Sequence, residues 1–437
     1  MTSYRIGLDI GTTATKACAF NAEGKMIGLA ERDYELLHPE PGAAVQEAEA
    51  VFAAAEEALA ELVKTTDGTP QSIGLSCPMH SLLLLDAEDR PLSPVITWAD
   101  LRAQTVMADF TRAEGHALHE LTGTPVHPMS PLVKLRWLAE TDPDLLASAA
   151  RIADLKSALV LRWATSGFLL DEQLASATGL MDLQTSEWAP TALEKAGVTT
   201  DRLPTIRPAN TKLEWRPAVA KKLGLTGVPL YLGGSDGVLA NLGSGILTPG
   251  EVAMSVGTSG ALRTAHGKAR VDPKQGLFNY KMKDGLYVIG GPTNNGGKVL
   301  EYWQELLAAH FPDVGAFIDG AFAVAAEDSP KADPWLNGER APLWDATATA
   351  ALTGLRGHHG PNHVARAVLD GVTENLVAIL RNLEAVVGPA DRILVSGGIT
   401  RSPEWLELFA ERSGREVVVA EATQASAYGA ALVSQEG

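Results

Sequence analysis

The stretch Asp9-Ile10-Gly11-Thr12-Thr13 is echoed by Ser255-Val256-Gly257-Thr258-Ser259, and the pair decides the fold. Each follows an apolar run, Arg5–Ile10 in one case and Glu251–Val256 in the other, and a second strand-like run comes after each. Short apolar runs broken by Gly and Thr read as strands joined by a tight polar hairpin. Gly-Thr-Thr or Gly-Thr-Ser between two strands is uncommon. Its recurrence predicts two copies of one lobe, with the hairpins facing each other across a cleft. Ser72-Ile73-Gly74-Leu75-Ser76-Cys77 echoes Arg392-Ile393-Leu394-Val395-Ser396-Gly397 more weakly, because short buried strands resemble one another.

Outward from the hairpins, Ala48–Val63 and Val364–Val387 carry helical periodicity, and residues 100–220 read as mainly helical. Pro229–Gly233, Tyr287–Ile289, Arg392–Val395 and Glu416–Val419 read as strands, so the class is α/β. The length of 437 residues exceeds the roughly 250–300 at which single cores stop growing. The expected division is 1–240 and 241–437, with a last helix, Ser426–Val433, able to pack back on the first lobe.

A net charge of −17 disfavours nucleic acid and anionic membrane surfaces as partners. Cys18 and Cys77, far apart, form neither a disulfide framework nor a metal motif. No apolar run approaches the ~20 residues of a membrane span, and no signal-peptide core opens the chain, so a cytoplasmic enzyme is expected.

Four motifs carry chemistry. In Asp9-x-Gly11-Thr12-Thr13-x-x-Lys16, Gly11 allows close phosphate approach, the Thr hydroxyls can donate to it, and Asp9 could hold Mg²⁺ through water. The same residues also suit an ordinary hairpin. Gly297-Lys298 does not complete a P-loop, because Pro292 stands where its first glycine is needed. Asp236, in Gly233-Gly234-Ser235-Asp236-Gly237, is either a helix N-cap or the base that takes a proton during phosphoryl transfer. Met79-His80 and Trp98-Ala99-Asp100-x-Arg102 offer donors, acceptors and an aromatic wall for a polyhydroxylated ligand. Asn294-Asn295-Gly296-Gly297 and Gly397-Gly398-x-x-Arg401-Ser402-Pro403 place small residues at strand ends, where a nucleotide can lie against backbone.

In this order, the motifs resemble the FGGY carbohydrate kinases over Arg5 to about Ala431. The stretches Met79-His80-Ser81, His127-Pro128-Met129-Ser130, Ala175-Ser176-Ala177-Thr178-Gly179 and Gly338-Glu339-Arg340-Ala341-Pro342-Leu343-Trp344 are most similar to the gluconokinase branch. The resemblance implies two duplicated RNase H-like, actin-like lobes of the hexokinase–Hsp70–actin superfamily. It implies ATP with Mg²⁺, and phosphorylation of a terminal hydroxyl, with gluconate to 6-phosphogluconate the sharpest case.

Carried over, Asp236 is the base and Asp9 the metal-side carboxylate. Gly11, Thr12, Thr13, Lys16, Gly257, Thr258, Gly297, Gly397, Gly398 and Ser402 meet ATP. Met79, His80, Trp98, Asp100, Arg102 and Asp236 line the sugar pocket. Ser402 stands where the family often has Asn, and the C-terminal tail is short. A gluconate carboxylate needs a cation, for which Arg102, Lys134, His80 and His127 are candidates. Xylulose or another polyol is the alternative substrate. A non-catalytic ATP-gated sugar-binding module is the alternative class, and a homodimer is left open.

Overall fold

The structure is a computed structural model that describes residues 3–435 apart from 270, 271, 275, 337 and 421–423. In the first lobe, β1 (Ser3–Ile10), β2 (Ala14–Phe20) and β3 (Met26–Asp33) form an antiparallel meander. Helix α1 (Ala48–Thr65) leads to β4 (Thr69–Cys77), which lies parallel to β1. A largely helical excursion contains α2 (Leu155–Trp163). Then β5 (Lys212–Leu213), β6 (Leu230–Ser235) and α3 (Asp236–Gly243) complete the lobe. Its sheet runs β5-β6-β4-β1-β2-β3.

The second lobe repeats this order. It comprises β7 (Glu251–Val256), β8 (Gly260–His266), β9 (Phe278–Lys283), β10 (Leu286–Thr293), α4 (Gly297–Leu306), α5 (Pro361–Val387), β11 (Arg392–Ser396), α6 (Pro403–Ser413), β12 (Glu416–Val419) and α7 (Ala425–Val433). The sheet runs β9-β10-β8-β7-β11-β12. Antiparallel β7–β8 and β8–β10 pairs match β1–β2 and β2–β3, and parallel β7–β11 and β11–β12 pairs match β1–β4 and β4–β6. The duplication anticipated from the two hairpins is therefore present in five strands of each sheet, with β5 and β9 as the unmatched edge strands.

Each sheet buries its own apolar set. Ile6, Leu8, Ile73 and Leu75 pack with α1 residues Phe52, Ala55 and Leu59 in the first lobe. Val252, Met254 and Ile393 pack with α5 residues Leu369, Val372 and Leu376 in the second. Burial at α5 follows helical spacing over a helix of 27 residues, so its apolar stripe spans the sheet.

Helix α7 leaves the second lobe and packs on the first sheet. A Cβ on Gly7 would lie 1.8 Å from the Ala427 carbonyl oxygen, and one on Gly74 would lie 1.9 Å from that of Ala430. Backbone therefore lies on backbone there, and only glycine fits. The Ser72 and Ser434 hydroxyls, 2.7 Å apart, join the same contact, and Ser426 donates to the Asp236 carbonyl at 3.1 Å.

The short strand Leu83–Leu85 pairs with Arg151–Ala153 outside the main sheet. Pro78 cannot donate to a ladder, and His80 is left-handed at φ 65°, so the chain turns away where β4 ends.

Candidate active site

Three adjoining cavities lie along the two hairpins. The largest, about 570 Å³, is lined by Gly257, Thr258, Gly297, Gly398, Ser402 and Trp405, among others. The β7–β8 hairpin closes on itself where Gly257 N–H donates to Ser259 O at 2.9 Å. Its carbonyls then accept from the first residues of α4, Gly297 N–H to Gly257 O at 2.6 Å and Lys298 N–H to Thr258 O at 3.2 Å. This places the start of α4 against the hairpin without a side chain between them. Gly397, at φ 89°, brings the end of β11 to the same hairpin, where an added Cβ would meet Val256 O at 2.5 Å. Ser402 caps α6 by accepting from Trp405 N–H at 3.2 Å. A cavity bounded by hairpin backbone, glycines and a helix start suits an anionic, flat ligand such as a nucleotide.

A second cavity of about 370 Å³ takes Thr12, Met79, His80, Trp98 and Asp236 from the first lobe. From the second lobe it takes Thr258, Arg263, Phe278, Tyr280 and Arg340. Gly257 and Thr258 line both this cavity and the first, so the two meet at the second hairpin. Trp98 is held by its indole N–H donating to Thr12 Oγ1 at 3.0 Å. His80 Nδ1 lies 2.8 Å from the Ala177 carbonyl, to which it donates, and its Nε2 lies 3.4 Å from the Tyr280 hydroxyl. Burial and the nearby Lys134 push the His80 imidazole down to about 3, so it is neutral near pH 7.

Asp9 and Asp236 share a third cavity, also about 370 Å³, with Ser255 and Arg263. Asp236, Gly237, Ser255 and Arg263 line this cavity and the second alike. Asp9 accepts from the Ser76 hydroxyl at 2.6 Å. Burial, reinforced by the Asp236 charge and opposed by the Ser76 hydrogen bond, raises its carboxyl to about 6. Burial also raises Asp236, against its bond from Gly237 N–H at 2.7 Å and the charge of Arg263.

The N-cap of α3 is Ser235, whose hydroxyl accepts from Val238 N–H at 3.4 Å, and Asp236 is the first helical residue. Capping thus does not account for an acid at position 236. Its strand is anchored from behind by groups that no motif revealed. Lys156, fully buried, donates to Asp171 and to the Gly234 carbonyl, each at 2.7 Å. Gln173 accepts from Ser235 N–H at 3.1 Å and donates to Met282 O at 3.0 Å, which ties the strand leading to Asp236 to the second lobe.

Of the remaining residues singled out in the sequence, Gly11 closes the first hairpin, its N–H donating to Ala14 O at 2.8 Å. Thr13 is exposed, and Lys16 pairs with Glu31 at 3.4 Å. Asp100 and Arg102 turn away from the cleft. Asp100 accepts from the Ala44 and Arg102 backbone N–H groups at 3.0 Å, and Arg102 pairs with Asp100 and Glu40 at 2.8 Å. Lys134 is buried and donates to the carbonyls of His80, Ile96 and Thr97. His127 is buried, and burial with nearby Arg340 and Lys134 pushes it down to about 3.

Among the described residues, the cations that line this second cavity are Arg263 and Arg340. Arg263 lies on β8 and faces the same side as Ala261, the strand alternation that follows the second hairpin. Arg340 belongs to the Gly338–Trp344 stretch, which has no periodic signal.

A two-lobed fold with a nucleotide-sized cavity, an adjoining polar cavity and an acid lining the latter defines a small-molecule kinase. The chain belongs to the FGGY family of carbohydrate kinases, whose N-terminal domain matches residues 4–243 and whose C-terminal domain matches 252–434. It is 36% identical to the gluconokinase of Bacillus licheniformis, covering 99% of this chain and 87% of that one. Identity to the xylulose kinase of Bacillus subtilis is 28%, over 99% and 88%. Among solved structures, the gluconate kinase from Lactobacillus acidophilus superposes with a TM-score of 0.95 at 31% identity, over 100% of this chain and 89% of that one. A ligand-bound xylulose kinase from the same organism gives 0.94 at 31%, over 99% and 89%. No helix among the described residues is long and apolar enough to cross a membrane.

Proposed function

We propose that this carbohydrate kinase transfers the γ-phosphoryl group of ATP to the terminal hydroxyl of gluconate, giving 6-phosphogluconate, with Asp236 as general base. The observation that carries this reading is the position of Asp236. It lines the acceptor cavity, which reaches the nucleotide cavity at Gly257 and Thr258. An acceptor hydroxyl there has a carboxylate on one side and the donor phosphate on the other. Burial raises the basicity of Asp236, which favours taking a proton as the new O–P bond forms. Thr258 and the hairpin N–H groups hold the phosphates, Trp98 covers a C–H face of the acceptor, and His80 offers a neutral nitrogen to a hydroxyl.

Asp9 fits the role of a Mg²⁺ residue. It is an oxygen donor whose charged form is disfavoured by burial beside Asp236, a penalty that a cation relieves. The ion would be held at Asp9 and would supply charge neutralisation at the phosphates.

Gluconate is favoured over an uncharged ketose by two features. The gluconokinase relatives are more similar than the xylulose kinases. The acceptor cavity also carries two guanidinium groups with no carboxylate partner among the described residues, in a protein of net charge −17. The test is kcat/KM with ATP for gluconate, xylulose, glycerol and glucitol. Gluconate is expected to lead by tenfold or more, about one charge-assisted contact in free energy. An uncharged acceptor matching or exceeding it overturns the substrate assignment.

A further inference from the structure

We propose that Arg340 is the residue that reads the carboxylate of the acceptor, while Arg263 serves the opposite, reacting end. This rests on the gluconate reading and assigns the two ends of that ligand within the site.

The argument begins with which cations are available. Arg102 is committed to Asp100 and Glu40, and Lys134 to three backbone carbonyls. His80 and His127 are neutral near pH 7. Arg263 and Arg340 remain as charged groups on the acceptor cavity. Neither comes within ion-pair distance of a carboxylate among the described residues. The Nε of each is buried without a hydrogen-bond partner. Buried donors of a charged group left unsatisfied are costly unless a ligand completes them.

The acid beside Arg340 does not complete it. The Glu339 carboxylate is buried and taken by Thr293 Oγ1 at 2.6 Å, Asn375 Nδ2 at 2.7 Å and Asn295 Nδ2 at 3.1 Å. Its other oxygen accepts the backbone N–H of Arg340 at 2.7 Å. The guanidinium is turned to the cleft instead, where it lies over the Trp98 ring at 4.8 Å from the centroid. Its Nη2 also donates to the Thr293 carbonyl at 3.3 Å, which fixes the group in place, and the donors that remain on the cavity side can pair with a carboxylate.

Position separates the two arginines. Arg263 Nη1 donates to the Gly237 carbonyl at 3.1 Å, directly after the base, and Arg263 lines the Asp9–Asp236 cavity as well as the acceptor cavity. It therefore faces the place where phosphoryl transfer occurs. Arg340 lines the acceptor cavity and not the Asp9–Asp236 cavity. In gluconate the carboxylate and the reacting hydroxyl are at opposite ends of the carbon chain. When the hydroxyl meets Asp236, the carboxylate lies toward Trp98 and Arg340.

The experiment compares wild type, Arg340→Gln, Arg340→Lys and Arg263→Gln by calorimetric Kd for gluconate and by kcat at saturating gluconate, with thermal melting as a folding control. Arg340→Gln is expected to weaken gluconate binding by about 30-fold or more while kcat falls less than about fivefold. Arg340→Lys keeps the charge but not the fork, and is expected to lose about tenfold in affinity. Arg263→Gln is expected to lower kcat by about 100-fold with Kd within about fivefold.

A wild-type enzyme that prefers an uncharged acceptor sinks the substrate reading. A gluconate-preferring wild type whose Arg340→Gln variant keeps Kd within threefold overturns this inference alone, as does an exchange of the two arginines' effects. If Arg340→Gln does not fold, Arg340→Lys decides: unchanged affinity refutes the assignment, and a tenfold loss sustains it.

Discussion

Replacing Asp236 by Asn isolates the chemical role of this carboxylate, because the structure removes the competing explanation for an acid at that position. Helix α3 is capped by Ser235, so the helix start does not depend on Asp236. Asp236 accepts backbone hydrogen bonds from Gly237, to Oδ1 at 2.7 Å, and from Met79; the amide oxygen of Asn can keep the first. Burial raises the Asp236 carboxyl, so the folded protein holds its charged form at a cost that the neutral amide does not incur. The variant should therefore melt at or slightly above the wild-type temperature. General-base assistance is worth about 10²–10⁴-fold, and kcat should fall by that factor with gluconate and ATP affinities nearly unchanged. A coupled ADP-release assay gives kcat, calorimetry gives the two Kd values, and differential scanning gives Tm. Wild-type turnover in a folded, ligand-binding Asp236→Asn protein would refute the assignment of the base. A lowered Tm would instead show that the carboxylate carries structure that the hydrogen-bond pattern does not contain.

Thr258→Val keeps shape but removes the hydroxyl at the junction of the nucleotide and acceptor cavities. It should weaken ATP binding by about tenfold and leave gluconate binding without nucleotide within about twofold, and unaltered ATP affinity would displace the phosphate clamp from this hairpin. Lys156→Met leaves Asp171 buried and unpaired and frees the Gly234 carbonyl. It should cost about 3–5 kcal/mol in urea unfolding, and a loss below 1 kcal/mol would show that the pair is not what anchors β6. His119 is buried and its imidazole is pushed down to about 4, below the ordinary 6.5. Its contribution is therefore present above pH 6.5 and is lost as pH falls toward 4. The stability of wild type relative to His119→Asn should drop by about 1.4 kcal/mol per pH unit between 6.5 and 4, and a gap constant from pH 7 to pH 5 would contradict the assignment.

What the sequence disclosed and what it concealed divide along a physical line. The Gly-Thr hairpins were legible because a tight polar turn between two apolar strands is a local pattern, and its repetition needs no tertiary information. The matching strand orders follow from that local repeat. Asp236 was legible as a residue of interest for the same reason, although its two roles separated only when Ser235 proved to be the cap.

The cation assignments depended on contacts between distant residues. Asp100 and Arg102 read as pocket residues because polar groups cluster beside Trp98. Two residues apart, however, they can satisfy each other, and the guanidinium then closes on Asp100 and Glu40. Lys134 sits within a helix whose buried face draws its ammonium onto carbonyls of other segments. Arg340 was visible within a recognisable stretch. Its availability, however, depends on Thr293, Asn295 and Asn375 occupying the Glu339 carboxylate, and its direction depends on Trp98 from the other lobe. No periodicity relates those positions. A charged residue is free for a ligand only when every nearby counter-charge is already engaged, and that condition is met by packing between lobes, which a reading along one chain does not contain.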